Sequence, residues 1–181
     1  MPAGLVLEHD WFSEPLPDNV MIGPNSWLYS SYSFLHFHSQ REPAVKIGAS
    51  CGIYDGTFFE LGPEGTVEIG DYTALVGVIF STNGAVSIGH YSFLAHEVVI
   101  ADHHAMIPPC GRPPATGDRA GGAGEILIGD EVWIGAGVTI LSGAKIGTGS
   151  VIGAGAVIDF EVPAMTIVAG NPASKIGTVS R

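Results

Sequence analysis

Four of the seven histidines, His90, His96, His103 and His104, fall in a short stretch of the chain between positions 90 and 104. An imidazole titrates near neutrality, so a histidine serves as a general base that takes the proton of a hydroxyl or amine as it attacks. Three histidines together instead make a zinc site. Asp102 and Glu97 stand close enough in sequence to orient an imidazole. His36 and His38 are paired earlier in the chain, where solvated side chains are the simpler reading. One nucleophile motif presents itself, Gly48-Ala49-Ser50-Cys51-Gly52. A hydrolase elbow of that form requires a strand-to-helix turn, and the surrounding pattern does not provide one.

That pattern is a repeat, and it defines the elements that must position these side chains. An apolar-x-Ile-Gly phrase recurs at 20–23, 45–48, 67–70 and 86–89, and again at 126–129. An apolar residue then returns every six positions, most regularly at Ile128, Ile134, Ile140, Ile146, Ile152 and Ile158. Earlier units read Ile22, Leu28, Phe34, then Ile47, Ile53, Phe59, then Ile69, Leu75, then Ile88, Leu94, Ile100. A second series of small apolar residues or Ser lies four positions on, at Val132, Val138, Ala144, Ser150, Ala156 and Val162. A period of six fits neither a helix nor a long strand; it fits short strands separated by turns. Three sixes make a coil of 18 residues, the spacing from Ile128 to Ile146. Each inward residue then stacks on its counterpart about 4.8 Å away. Glycine after the isoleucine is expected because it tolerates the backbone angles of a tight corner.

The remaining coil starts are spaced 25, 22, 19 and 40 apart, so insertions of 7, 4, 1 and 22 residues leave the phase intact. Such insertions belong at surface corners. The longest, near residues 103–124, is rich in Pro and Gly and follows directly on Asp102.

Composition bounds the rest. A chain of 181 residues with 46% hydrophobic and 14% charged residues suits one folded domain. Seven Lys and Arg against 18 Asp and Glu give a formal charge of −11, which argues against a nucleic-acid partner. No secretory signal or membrane span is expected, and the two cysteines, Cys51 and Cys110, suit a reducing cytoplasm rather than a disulfide framework.

The segment from Asp130 to Ile176 carries Val-Trp-Ile-Gly at 132–135, Ile-Gly-Ala-Gly at 152–155 and Val-Ala-Gly-Asn-Pro at 168–172. In these it resembles the hexapeptide-repeat acyltransferases, most nearly the galactoside, maltose and xenobiotic O-acetyltransferases. The resemblance implies an all-β, single-domain, left-handed parallel β-helix. The repeat itself spans 22–176, with an N-terminal segment 1–21 and a tail 177–181. Handedness comes from the resemblance alone, since the general preference is for right-handed crossovers.

It also implies a homotrimer, and transfer of an acetyl group from acetyl-coenzyme A to a hydroxyl of a small acceptor such as a sugar. An amine acceptor is compatible with the same base. Relatives keep their catalytic histidine at the start of the long insertion, which puts the role on His103 or His104, with Asp102 beside them. Trp133, Ala136, Ser142, Ala154, Gly170 and Lys175 would mark the coenzyme's path. The sequence departs from its relatives at Asp159-Phe160-Glu161, where many carry Thr-Lys-Asp, and at Ser174, where they carry a basic residue. Lys175, Lys145 or Arg181 would then meet the phosphates. No metal is expected in this reading. The rival readings are a zinc protein like the γ-class carbonic anhydrases, and a non-catalytic β-helix scaffold.

Overall fold

The structure is a computed structural model and describes residues 5–102 and 124–180. The chain winds as a left-handed parallel β-helix of about six turns, and its strands stack into three sheets. The first face runs Val20–Ile22, Val45–Ile47, Thr66–Ile69, Ala85–Ile88, Ile126–Ile128, Lys145–Ile146 and Glu161–Val162. The second begins at Trp27–Leu28 and passes through Phe93–Leu94 and Trp133–Ile134 to Thr166–Ala169. On it Ser174–Thr178 folds back antiparallel as a final strand. The third contains Phe58–Leu61, Ile79–Thr82, Val99–Ala101, Thr139–Leu141 and Val157–Ile158. The first coil replaces its third strand by a 3₁₀ turn, Ser31–Phe34, yet Phe34 still points inward. Among the described residues no helix is long and apolar enough to cross a membrane.

Both six-residue series line the interior. Ile134, Ile140 and Ile158 are fully buried, as are Val138, Ala144, Ser150 and Ala156. The register also supplies the residue missing from the third coil. Phe80 pairs with Phe59 and Ile100, five positions after Leu75 rather than six. That coil is one residue short at its second corner and two long at its third, which accounts for its net insertion of one.

The glycine after each isoleucine has a different cause from the one expected. None of Gly23, Gly48, Gly70, Gly89 or Gly129 has a positive φ. What they lack room for is a side chain: a Cβ on Gly70 would lie 2.6 Å from the backbone carbon of Gly89 in the next coil. The left-handed residues come two positions later, at Asn25, Ser50, Tyr72, Tyr91 and Glu131, with φ between 55 and 61°. At the second corner glycine does supply the left-handed angle, as at Gly137, whose Cβ would meet nothing. Gly70→Ala is therefore expected to cost about 3 kcal/mol, since the backbone of Gly89 and His90 that it would strike cannot yield. Gly137→Ala should cost about 1 kcal/mol, the left-handed penalty alone. The order of the two melting temperatures checks the distinction.

Residues 5–16 cover the open end of the first coil. Leu16 is buried, and its N–H donates to Leu5 O. The His9 ring stacks on Trp27 at 4.0 Å while its Nε2 meets Leu28 O at 2.8 Å. The Asp10 carboxylate accepts from Ser30 Oγ at 2.7 Å, Ser31 N–H at 2.6 Å and Phe12 N–H at 2.9 Å. Burial pushes this carboxyl up, but the Ser30 hydroxyl and the backbone N–H groups of Ser31 and Phe12 outweigh it. They hold it well below the usual carboxylate range.

A depressed folded-state pKa contributes stability above the unfolded value of about 3.9, lost as the pH falls towards the folded value. Asp10→Asn should lower the melting temperature at pH 7, and its deficit should shrink on acidification below about pH 4. A deficit independent of pH would remove the charge from the account.

Candidate active site

All four insertions occur at one corner, between a third-face strand and the first-face strand of the next coil. They occupy 35–44, 62–65, 83–84 and the segment between Ala101 and Ile126. The described parts of these insertions stack one above another and tie the coils together along that edge. His38 N–H donates to Leu61 O and Gln40 N–H to Pro63 O. Ser39 Oγ donates to Gly65 O at 2.6 Å. Glu64 N–H donates to Asn83 Oδ1 at 3.0 Å, and Asn83 N–H to Asp102 Oδ2 at 2.8 Å. Past the long insertion, Gly124 N–H donates to Ser142 Oγ at 2.8 Å.

A cavity of about 560 Å³ opens at this corner, lined by Arg41, Glu42, Glu64, Thr66, Asn83 and Gly84 among others. Arg41 and Glu64 form an ion pair across it at 2.5 Å. A second hollow of about 410 Å³ lies beside it on the first face, between Lys46 and Leu127. Sequence reasoning missed Arg41, Glu64 and Asn83. The signal was available: taking 18 from each coil spacing puts the surplus residues in the same phase, and so at the same corner.

His103 and His104 lie outside the described residues. Asp102, which leads into them, is 8% exposed and has one oxygen committed to the Asn83 N–H. His90 and His96 stand at opposite ends of the strand Phe93–Leu94, at the first and second corners respectively. His90 belongs to a corner ladder: its Nδ1 accepts from Asp71 N–H at 2.8 Å, and its own N–H donates to Asp130 Oδ1 at 2.7 Å. Among the described residues no group of three or more His, Cys, Asp or Glu is placed to hold a metal ion. His36 and His38 sit exposed on the first insertion.

The residues expected along the coenzyme's path are spread over the helix. Trp133 faces outward from the second face, 58% exposed, between Phe93 and Val151. Ala136 and Ala154 stack with His96 at the second corner, where Gly137 N–H donates to His96 O and Gly155 N–H to Ala136 O. Ser142 is at the third corner. Gly170 and Lys175 are exposed at the last coil, Gly170 with φ 96°. Neither hollow is lined by any of the six.

Cys51 is not an activated thiol. Burial pushes its pKa up, and Sγ donates to Gly70 O at 3.1 Å. Ser26, Thr73 and Ser92 bond the matching carbonyls of Gly48, Gly89 and Gly129. Cys51 thus fills one rung of a buried ladder, and Ser50 beside it forms a corner.

Residues 125–159 match the bacterial transferase hexapeptide (six repeats). No curated protein sequence matches the chain. Among solved structures it is similar to a maltose O-acetyltransferase from Clostridium difficile 630, at 31% identity and a TM-score of 0.52 over 64% of this chain and 60% of that one. The chain therefore spans less than two thirds of that relative. A hexapeptide-repeat acetyltransferase from Vibrio cholerae O1 biovar eltor, complexed with acetyl-coenzyme A, is 22% identical with a TM-score of 0.60 over 82% of this chain and 75% of that one. A variant of an N-acyltransferase from Bacillus cereus, in complex with dTDP and coenzyme A, reaches a TM-score of 0.67 at 18% identity over 89% and 85%. The last two likenesses are of fold. With its repeat, its three largely parallel sheets and these neighbours, the chain carries hexapeptide repeats and shares the left-handed β-helix fold of the acyltransferases it resembles.

Proposed function

We propose that the chain is an acyltransferase that moves an acetyl group from acetyl-coenzyme A to a small acceptor, a sugar hydroxyl or the amine of an aminosugar. The observation that carries this reading is the gathering of every insertion at one corner. There Asp102 leads straight from a rigid strand into the histidine-bearing segment, beside an open cavity. Likeness to acetyltransferases, one of them crystallised with acetyl-coenzyme A, supports the donor.

In the proposed mechanism His103, or His104 in its place, accepts the acceptor's proton as its oxygen or nitrogen attacks the thioester carbonyl. Backbone N–H groups hold the resulting oxyanion. Collapse breaks the carbon–sulfur bond, and the imidazolium returns its proton to the departing thiolate. Asp102 positions the base through the strand end it anchors. Trp133, Ala136, Ser142, Ala154, Gly170 and Lys175 mark the donor's path. Because these six stand on different faces and corners of one chain, the proposal includes a homotrimer whose neighbouring surfaces join them into one cleft.

A melt with and without millimolar acetyl-coenzyme A, and separately with zinc, tests the reading without knowledge of the acceptor. Donor at about 100 times its dissociation constant adds about 2.7 kcal/mol of stability. A shift with the coenzyme alone supports the transferase. A shift with zinc alone replaces it by a metal site, and no shift with either leaves a scaffold.

A further inference from the structure

We infer that Asp55-Gly56 is a self-modification site, where the aspartate converts through a cyclic imide to isoaspartate, and that the fold shields Asn83-Gly84 from the same reaction. These are the two places in the chain where glycine follows an aspartate or asparagine. Glycine puts no side chain in the way of its own nitrogen, which is the attacking atom. The chemistry needs no coenzyme and is independent of the transferase reading.

In the first step the Gly56 nitrogen attacks Asp55 Cγ. The nitrogen gives its proton to water, one carboxyl oxygen leaves as water, and a new N–Cγ bond closes the imide. Water then opens either carbonyl. Opening at Cγ restores aspartate. Opening at the main-chain carbonyl leaves the peptide bond running through the side chain, which is isoaspartate. One water is lost and one is gained, so no oxidant or cofactor is required. At asparagine the leaving group is ammonia.

The second corner brings the reacting groups of Asp55 and Gly56 together. Both residues are exposed there, and Gly56 has φ 77°. The Gly56 N–H donates to Asp55 Oδ1 at 2.9 Å, so the carboxylate is folded back over the nitrogen that attacks it. The cause lies in the coil before. In later coils the left-handed residue of this corner gives its N–H to a carbonyl of the preceding coil. Glu97 donates to Gly77 O, Gly137 to His96 O and Gly155 to Ala136 O. The first coil has turned into the 3₁₀ segment Ser31–Phe34, and Gly56 bonds its own neighbour instead.

Asn83 is also exposed, and in a free chain an amide is a better electrophile than a carboxylate. Here the two groups are held apart. Asn83 Oδ1 accepts the Glu64 N–H at 3.0 Å, which directs the amide towards the neighbouring insertion. The Gly84 N–H donates to the buried Thr82 Oγ1 at 2.9 Å. Asn83 N–H is fixed on Asp102, and Gly84 O accepts the Thr66 N–H at 2.9 Å, so the main chain cannot turn to realign them. Misplacing reacting atoms in this way costs about 10²-fold in rate.

The test ages the full chain at neutral pH, folded and in denaturant, and then digests it. Isoaspartate in each peptide is read with a protein L-isoaspartyl methyltransferase and labelled S-adenosylmethionine, and loss of ammonia at Asn83 by mass. Folding should slow the reaction at Asn83 by about 10²-fold and leave that at Asp55 unreduced. Asp55→Glu keeps the charge but enlarges the ring to be closed, and should abolish the label in that peptide. Thr82→Val frees the Gly84 N–H and should raise ammonia loss at Asn83 about tenfold. The folded-against-unfolded comparison on the unaltered chain decides the matter if that variant does not fold. A rate at Asp55 that falls on folding, or ammonia loss at Asn83 as fast folded as unfolded, would each overturn the assignment.

Discussion

Thioester cleavage by a His103→Ala chain is expected to fall about 10²–10⁴-fold, the usual worth of a positioned general base. The acetyl-coenzyme A shift in the melt should stay, because the donor's path is assigned to other residues. His104→Ala should leave most of the activity. The reverse order would move the base to His104 and leave the chemistry unchanged. The reasoning is one of rigidity. The strand Val99–Ala101 is locked on both sides, pairing with Ile79–Thr82 below and Thr139–Leu141 above. Asp102 extends that rigidity by one residue, since its buried carboxylate accepts the Asn83 N–H. A base attached one residue beyond such an anchor starts from a fixed point, and each further residue adds freedom that must be frozen before reaction.

Asp102→Ala tests that link. It should lower kcat more than it raises the KM of the donor. Asp102→Asn keeps an acceptor oxygen for Asn83 and should recover much of the loss; failure of this rescue would mean that the carboxylate charge matters to the imidazole directly.

The course of the chain was legible because its period is short and its inward positions are apolar almost throughout. Isoleucine every six positions fixes the inward direction at three faces per coil, and the register follows from counting. Reasons tied to contact between coils were not legible. Gly70 reads as a corner glycine whichever cause applies, and only the distance to Gly89 shows that proximity rather than backbone angle selects it. The irregular third coil hid Phe80, because one deletion and two insertions nearly cancel. The candidate site was legible in part. Asp102 and the insertion after it stand out in the sequence, whereas Arg41, Glu64 and Asn83 are scattered over three coils and meet only through stacking. The coenzyme residues came from resemblance to relatives, and one chain alone does not show why they belong together.

Phe59→Ala should be the most damaging of the core substitutions, at about 3–5 kcal/mol. The Phe59 ring is fully buried between two others, parallel to Phe34 at 4.9 Å and to Phe80 at 5.0 Å. Truncation removes its transfer free energy and both stacking contacts, the latter worth about 0.5–1.5 kcal/mol each. The void cannot close by collapse, because the coil spacing is set by backbone hydrogen bonds such as Phe58 N–H to Val78 O at 2.9 Å. For a chain of this size each kcal/mol moves the midpoint by about 2–4 °C, so a fall of about 10 °C is expected.

The shape of the transition carries more information than its midpoint. A solenoid is stabilised chiefly by contacts between neighbouring coils. Phe34 joins the first coil, with its cap at Asp10, to the rest through Phe59. Loss of that junction should let the N-terminal coil open first and split one melt into two steps, the earlier of them sensitive to Asp10→Asn. Phe59→Leu keeps most of the volume and should restore a single transition. A single, unsplit melt lowered by only a few degrees in Phe59→Ala would show that the coils are joined mainly through backbone pairing and that the aromatic stack is secondary.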